Sequence, residues 1–174
     1  MKNTKPILYI FSGLPGVGKS TLAKNVAKLL NAVYIRVDTI EQGLRDLCNF
    51  NVQGEGYRLA YKLAQDNLRV GNNVVADQCN PISLTRQEWG EVAIKNGCNY
   101  VNIEIICSDK SEHKNRVENR EKEIENLMLP TWEEVTARKY DVWDEEHIII
   151  DMANRTVEEC TEELMEKINC KLFL

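Results

Sequence analysis

The chain has 174 residues, 43% of them hydrophobic and 28% charged, with a formal net charge of −5. That size and balance fit one packed domain and exclude the low-hydrophobicity signature of disorder, while the acidic excess argues against duplex nucleic acid or an anionic membrane as the main partner. Six cysteines (Cys48, Cys79, Cys98, Cys107, Cys160, Cys170) show no C-x-x-C pair and no metal-like spacing, so reduced thiols in a cytoplasmic protein are expected.

Residues 1–6 lead straight into a short apolar run, 7–11, too short for a signal sequence or a membrane span, so no targeting segment is expected. The run is nearly continuous and bounded by Pro6 and Ser12-Gly13, the pattern of a strand buried on both faces of a parallel sheet. Leu22, Val26, Leu29 and Leu30 then recur at helical spacing among lysines and predict an amphipathic helix over about 19–31. Further strands are expected at 33–37, ending at Asp38; at 73–76, ending at Asp77; at 100–107; and at 148–150, ending at Asp151. Asn80-Pro81 has the form of a cap followed by proline at the first helical position. Thr131-Trp132-Glu133-Glu134 and Thr156-Val157-Glu158-Glu159 have the form of capping boxes. The alternation of strand and helix is expected throughout, in a single domain without repeats or linkers. Residues 121–129, charged at first, then apolar and closed by Pro130, read either as a lid or as a plain loop.

Between the first strand and the first helix stands Gly13-Leu14-Pro15-Gly16-Val17-Gly18-Lys19-Ser20, which satisfies G-x-x-x-x-G-K-[ST] with strand before and helix after. Its glycines let backbone N–H groups point inward, the helix N-terminus adds positive potential, Lys19 reaches β- and γ-phosphates, and Ser20 offers a hydroxyl to Mg²⁺. The loop through Thr21 is therefore expected to bind ATP with Mg²⁺. No N-K-x-D for guanine follows, and no second acidic residue accompanies Asp77, so a small kinase is expected rather than a GTP switch or a motor ATPase.

A kinase needs a carboxylate near the acceptor hydroxyl. Asp38 is the candidate, its alternative being the N-cap of a helix over 39–47. Asp77 stands where a carboxylate holds the Mg²⁺ shell, or else is a turn aspartate. Arg116 and Arg120, four apart, read either as phosphate ligands on one helix face or as members of a solvated face paired with Glu112 and Glu123. Gly54-Glu55-Gly56 with Tyr57, Arg58 and Tyr61 reads as an acceptor-side wall or as a loop and a core-facing helix. Arg86 either meets an anionic acceptor or lies on the surface. His113 and His147 have no metal-ligand partners, and nothing supports hydrolase chemistry.

With this loop, Asp38, Asp77-Gln78-Cys79-Asn80-Pro81 and the two arginines Arg116 and Arg120, the chain resembles the small P-loop kinases, such as gluconate, shikimate and adenylylsulfate kinases, chloramphenicol phosphotransferase and polynucleotide kinase. The run from Arg36 to Glu41, with Gly56-Tyr57, 64–68, Arg86, Cys107-Ser108-Asp109, 129–132 and Trp143, is similar to bacterial AAA-family ATPases or predicted kinases over nearly the whole chain. The resemblance implies a three-layer α/β/α sandwich on a five-stranded parallel sheet of order 2-3-1-4-5, a lid at about 116–130 within one domain over 1–174, and ATP as donor. It also implies that Arg155, in the loop after strand five, approaches the adenine beside Arg116. The expected activity is transfer of the γ-phosphoryl group to the hydroxyl of a small acceptor by Lys19, Asp38, Arg116 and Arg120. The alternatives are a polynucleotide 5′-hydroxyl kinase, which Glu41 three residues after Asp38 disfavours where that branch carries arginine, and an ATP-binding regulatory module.

Overall fold

The computed structural model describes residues 5–173; residues 1–4, at the head of the segment expected to carry no targeting signal, lie outside the described residues. Five parallel strands, β1 (Ile7–Ser12), β2 (Val33–Arg36), β3 (Val74–Asp77), β4 (Asn99–Ile106) and β5 (Ile148–Asp151), form one sheet in the order β2-β3-β1-β4-β5. The helices are α1 (Lys19–Leu29), α2 (Val37–Cys48), α3 (Glu55–Arg69), α4 (Ser83–Lys95), α5 (Lys110–Asn119), α6 (Trp132–Ala137) and α7 (Val157–Phe173). The expected fold class and strand order are therefore observed.

Alternation along the strands supplies both halves of the core. Tyr9, Phe11, Val75, Ile103, Ile105 and Ile150 meet Leu22 and Val26 of α1 and Leu164 and Ile168 of α7. Leu8, Ile10, Val74 and Ala76 meet Ala60, Ala64 and Leu68 of α3 and Trp89 and Val92 of α4 on the opposite face. Burial of apolar surface on both faces makes the central strands read as unbroken hydrophobic runs. β4 departs from that rule, because Asn102 and Glu104 interrupt its apolar residues. A strap over residues 138–147 meets them: Asn102 Nδ2 donates to Glu145 Oε2 at 3.0 Å, and His147 Nε2 lies 3.3 Å from Glu104 Oε2.

Two helix starts differ from expectation. β2 ends at Arg36, which is the extended residue ahead of α2 (φ −109°, ψ 115°), so Asp38 lies inside the first turn and is not the N-cap. α4 begins at Ser83 behind Ile82, and Asn80 sits at φ 51° in the left-handed region instead of capping it. Asn80 is held there because its amide Nδ2 donates to Ser12 Oγ at 3.0 Å, its Oδ1 accepts from Thr85 Oγ1 at 2.7 Å, and its N–H donates to Tyr57 OH at 3.0 Å. Both predicted capping boxes form, at Thr131/Glu134 and Thr156/Glu159. All six cysteines are free thiols, and no described helix is long and apolar enough to cross a membrane.

The sheet order reverses beside β1, and at such a point loops from adjacent strands diverge and leave a crevice at the carboxyl ends. The ends of β1, β2 and β3 and the C-terminal half of α5 open there.

Candidate active site

The loop between β1 and α1 is shaped by close contacts that exclude side chains. A Cβ on Gly13 (φ +145°) would lie 2.3 Å from the Ile105 carbonyl oxygen, and one on Gly16 (φ +86°) would lie 2.5 Å from Val117 Cγ2. Gly13 N–H donates to the Cys79 carbonyl at 3.1 Å, and His113 Nε2 is 2.9 Å from the Pro15 carbonyl oxygen. Gly18 at φ 96° is the N-cap of α1, which has no side-chain cap and no acidic residue in its first turn. The free amides and the positive helix end are therefore left facing the crevice, the arrangement that binds an anion.

The crevice is a cleft of about 960 Å³ lined on one side by Gly13, Leu14, Pro15, Gly16, Gly18, Lys19, Ser20 and Thr21, and on the other by Arg36, Asp38, Glu41, Gln42, Arg45, Cys79 and Arg138. That volume matches a small-molecule site, whose usual range is about 300–1,000 Å³. Residues 120–131, without helix or strand, cross it and contribute Arg120, Glu121, Glu123 and the stretch Asn126–Pro130 to its wall. Of the expected loop residues, Val17 turns its side chain into the core, 3% exposed, and presents only backbone to the site.

Lys19 and Asp77 form the charged centre. Lys19 Nζ donates to Asp77 Oδ1 at 2.7 Å and Tyr34 OH donates to Oδ2 at 2.6 Å, with Arg36 Nε 3.9 Å away. Asp77 is fully buried and lies behind Lys19, outside the cleft wall. Burial alone would raise its carboxyl, but the Lys19 charge and hydrogen bonds from Lys19, Tyr34 and Ser20 more than offset this and hold it below the ordinary value of 3.8. Lys19 moves in the complementary sense: burial lowers it, Asp77 and Asp38 raise it, and the net shift is upward. A depressed carboxylate adds stability above its unfolded-state value and loses it as pH falls through the lower folded-state value. Urea unfolding free energies are thus expected to lose the Asp77 contribution only below about pH 4. Asp77→Asn should show a flatter acid limb than the wild type in the same titration.

Ser20 and Asp77 together supply a hydroxyl and a carboxylate. Hard oxygen donors of this kind suit Mg²⁺ when phosphate oxygens and water complete its shell. Among the described residues no group of three or more His, Cys, Asp or Glu forms a self-sufficient metal cage. The donor set therefore fits an ion that arrives with phosphate.

The expected arginine pair is separated. α5 ends at Asn119, and Arg120 is its extended C-cap (φ −69°, ψ 142°), so Arg116 and Arg120 do not share a helix face. Arg116 is fixed by Glu112, by the Met152 carbonyl at 3.0 Å and by the Val17 carbonyl at 3.4 Å, at the Gly18 end of the cleft. Arg120 reaches the Asp38 end. Glu123 pairs not with Arg120 but with Arg36 at 2.7 Å and Lys24 at 2.8 Å, which pins the 120–131 segment to β2 and α1.

Three other candidates fall outside the cleft. Arg155 pairs with Glu163 at 2.6 Å and does not line it. Arg86 is 1% exposed, so it is neither a surface residue nor an acceptor ligand; its Nε donates to the Asn80 carbonyl at 3.1 Å, and its guanidinium lies over the Tyr140 and Trp143 rings at 4.9 and 4.1 Å. Gly56 begins a core-facing helix, with Tyr61 packed on Trp89 at a centroid distance of 4.6 Å, so no acceptor wall forms there.

Tyr34, Arg36 and Arg138 were not anticipated. Tyr34 and Arg36 share one face of β2, and Arg36 pairs in register with Asp77, so strand alternation carried a signal for both. Arg138 is the C-cap of the short helix α6, and only the tertiary return of that helix brings it to the cleft.

Among solved structures, the chain is similar to the Mycobacterium tuberculosis APS kinase in complex with AMPPNP and APS, at 16% identity and a TM-score of 0.69 over 95% of this chain and 99% of that one. It is similar to a gluconokinase from Sinorhizobium meliloti at 12% identity and a TM-score of 0.64 over 97% and 99%. It is also similar to Chaetomium thermophilum Kti12 in complex with ADP-AlF3, at 20% identity and a TM-score of 0.69 over 92% and 96%. These likenesses show that the chain shares its overall fold with those proteins. The model of the AAA_33 family, described as an AAA domain, matches residues 8–141, a span holding the glycine loop, Asp38, Asp77, Arg116, Arg120 and Arg138; the chain belongs to that family.

Proposed function

We propose that the chain is an ATP- and Mg²⁺-dependent phosphotransferase that moves the γ-phosphoryl group to a hydroxyl of a small acceptor. The observation that carries this reading is one cleft with the phosphate-binding loop on one wall and Asp38, with guanidinium groups around it, on the other. The structural neighbours holding AMPPNP with APS and ADP-AlF3 support a nucleotide at the loop.

Loop amides and Lys19 hold the β- and γ-phosphates, which requires Lys19 to turn from Asp77 toward the cleft. Ser20 and Asp77 would hold Mg²⁺, which would supply neutralisation of the phosphate charge. Asp38 orients the acceptor hydroxyl and takes its proton as the new O–P bond forms and the bond from the γ-phosphorus to the β-bridging oxygen breaks, releasing ADP. Arg120 faces charge developing on the transferred group, and Arg116 stabilises the loop end nearest the nucleotide. Positioned charge of this kind accounts for most phosphoryl-transfer catalysis. Glu41, Glu121 and Glu123 on the cleft wall disfavour a polyanionic acceptor such as a polynucleotide end.

The test is transfer of labelled γ-phosphate from ATP, with a metabolite extract, short oligonucleotides and water as separate acceptors and Lys19→Ala as control. A labelled small molecule that disappears in the control is expected. Label only on oligonucleotides would overturn the acceptor class, and tight ATP binding with no labelled product would make the chain a regulatory module.

A further inference from the structure

Three donors surround Asp77, and they differ in what they do to its charge. Lys19 Nζ and Tyr34 OH each hold one carboxylate oxygen, Oδ1 at 2.7 Å and Oδ2 at 2.6 Å. Arg36 Nε stands 3.9 Å from that same Oδ2, sealed from solvent and without a hydrogen-bond partner, while Nη1 of the same guanidinium donates to Glu123 at 2.7 Å. An orphaned donor on a buried charged group is costly, so Arg36 gains by closing on Oδ2 wherever the phenol leaves it. Strand register explains why a tyrosine reaches this oxygen. Tyr34 pairs with Val75 and Arg36 with Asp77, on one face of the β2-β3 pair. A two-residue offset along a strand is about 6.6 Å, a span that a phenol crosses and a serine or threonine hydroxyl does not. The ring packs against the core cluster beneath α1, which fixes its direction. A neutral hydroxyl orients a carboxylate and leaves its charge in place, whereas Lys19 and Arg36 cancel it.

Resting on the phosphotransferase reading of this cleft, we propose that Tyr34 is a positioning residue for Mg²⁺, acting through Asp77. Its hydroxyl holds Oδ2, so the turn of Lys19 toward phosphate frees Oδ1 alone and the carboxylate keeps one orientation. The same bond keeps Arg36 on Glu123, so the buried carboxylate retains its full negative charge for the ion. Groups that orient a metal ligand in this way are typically worth about 10–100-fold in metal affinity. In Tyr34→Phe the ring still fills its place, but Oδ2 passes to Arg36. The carboxylate offered to the ion is then one that a guanidinium has already neutralised.

Nucleotide binding tests this without requiring transfer. AMPPNP is titrated by calorimetry into wild type and Tyr34→Phe, once in EDTA and once in excess Mg²⁺, and the ratio of the two dissociation constants is the readout. In the wild type Mg²⁺ should tighten binding. Tyr34→Phe should bind AMPPNP in EDTA within about twofold of wild type, yet lose about tenfold or more in Mg²⁺. The variant keeps the ring, and Lys19 still pairs with Asp77, so the fold is retained. A tyrosine that only braced the fold would change both constants together and leave the ratio unmoved, which would overturn the proposal. Asp77→Asn supplies the second arm, because the effect runs through that carboxylate: in its background Tyr34→Phe should shift the ratio by less than about twofold. A tenfold effect surviving there would assign Tyr34 to another group and would likewise overturn the proposal, as would wild-type binding that ignores Mg²⁺. A chain that shows the expected ratios yet labels no acceptor would instead refute the phosphotransferase reading, so the two failures are separate results.

Discussion

Lys19→Ala is expected to abolish phosphoryl transfer and, independently, to lower the unfolding free energy by about 3 kcal/mol. The catalytic loss follows from removing the cation that meets the β- and γ-phosphates, a defect on the order of 10²–10³-fold or more. The stability loss follows from Asp77, whose side chain has no exposure and whose Oδ1 accepts from Lys19 at 2.7 Å. Removing one partner of a buried pair leaves the other charge uncompensated, at about 3–5 kcal/mol. The low end applies because Tyr34 still donates to Oδ2 and the truncated side chain lets water in from the cleft. Lys19→Met combined with Asp77→Leu separates the two effects. Replacing both charges by apolar groups of similar size should restore most of the stability while transfer stays absent. Urea unfolding of the single and double variants reads the first effect, and labelled-phosphate transfer reads the second. A Lys19→Ala protein as stable as wild type would show that the pair is solvated in solution.

Asp38→Asn should reduce transfer by about 10²–10⁴-fold while leaving ATP affinity within about twofold. The amide keeps the shape of the carboxylate but cannot take the hydroxyl proton. Its cost to folding is modest, because a half-buried first-turn carboxylate contributes about 0.3–2 kcal/mol. Single-turnover measurements with the acceptor found by labelling would read the chemical step directly. Full transfer in Asp38→Asn would remove Asp38 from the mechanism and leave Glu41, the next carboxylate on that wall, as the proton acceptor.

The fold was legible because its signals are local. Continuous apolar runs marked strands covered on both faces, and the glycine loop marked the one turn where Gly13 and Gly16 must approach neighbouring atoms too closely for any side chain. Capping boxes at Thr131 and Thr156 need only four consecutive residues and formed as written. Errors arose wherever a residue's role depends on a distant partner. Asn80 looked like a cap, but hydrogen bonds to Ser12 and Tyr57 commit it to a left-handed turn. Arg86 looked ambiguous, and rings from residues more than fifty positions later enclose it. Arg116 and Arg120 matched a helical spacing that the helix ends one residue too early to satisfy. The placing of the glycine loop and Lys19 after β1, of Asp38 after β2 and of Asp77 at the end of β3 was likewise legible, because each adjoins an apolar run. Arg138 was not, because no feature of its own segment says where α6 will lie.

The bond between His113 and the Pro15 carbonyl reaches beyond the loop it steadies. His113 also packs edge-on against Trp132 at a centroid distance of 5.1 Å, so the glycine loop and the first residue of α6 are linked through one imidazole. Trp89 is sealed in the core and Trp143 is stacked on Arg86 and His147, both away from the cleft wall. Trp132 is thus the indole coupled to the phosphate loop. The chain carries a built-in optical reporter there, and a Trp132→Phe variant should silence the emission change that filling of the loop produces.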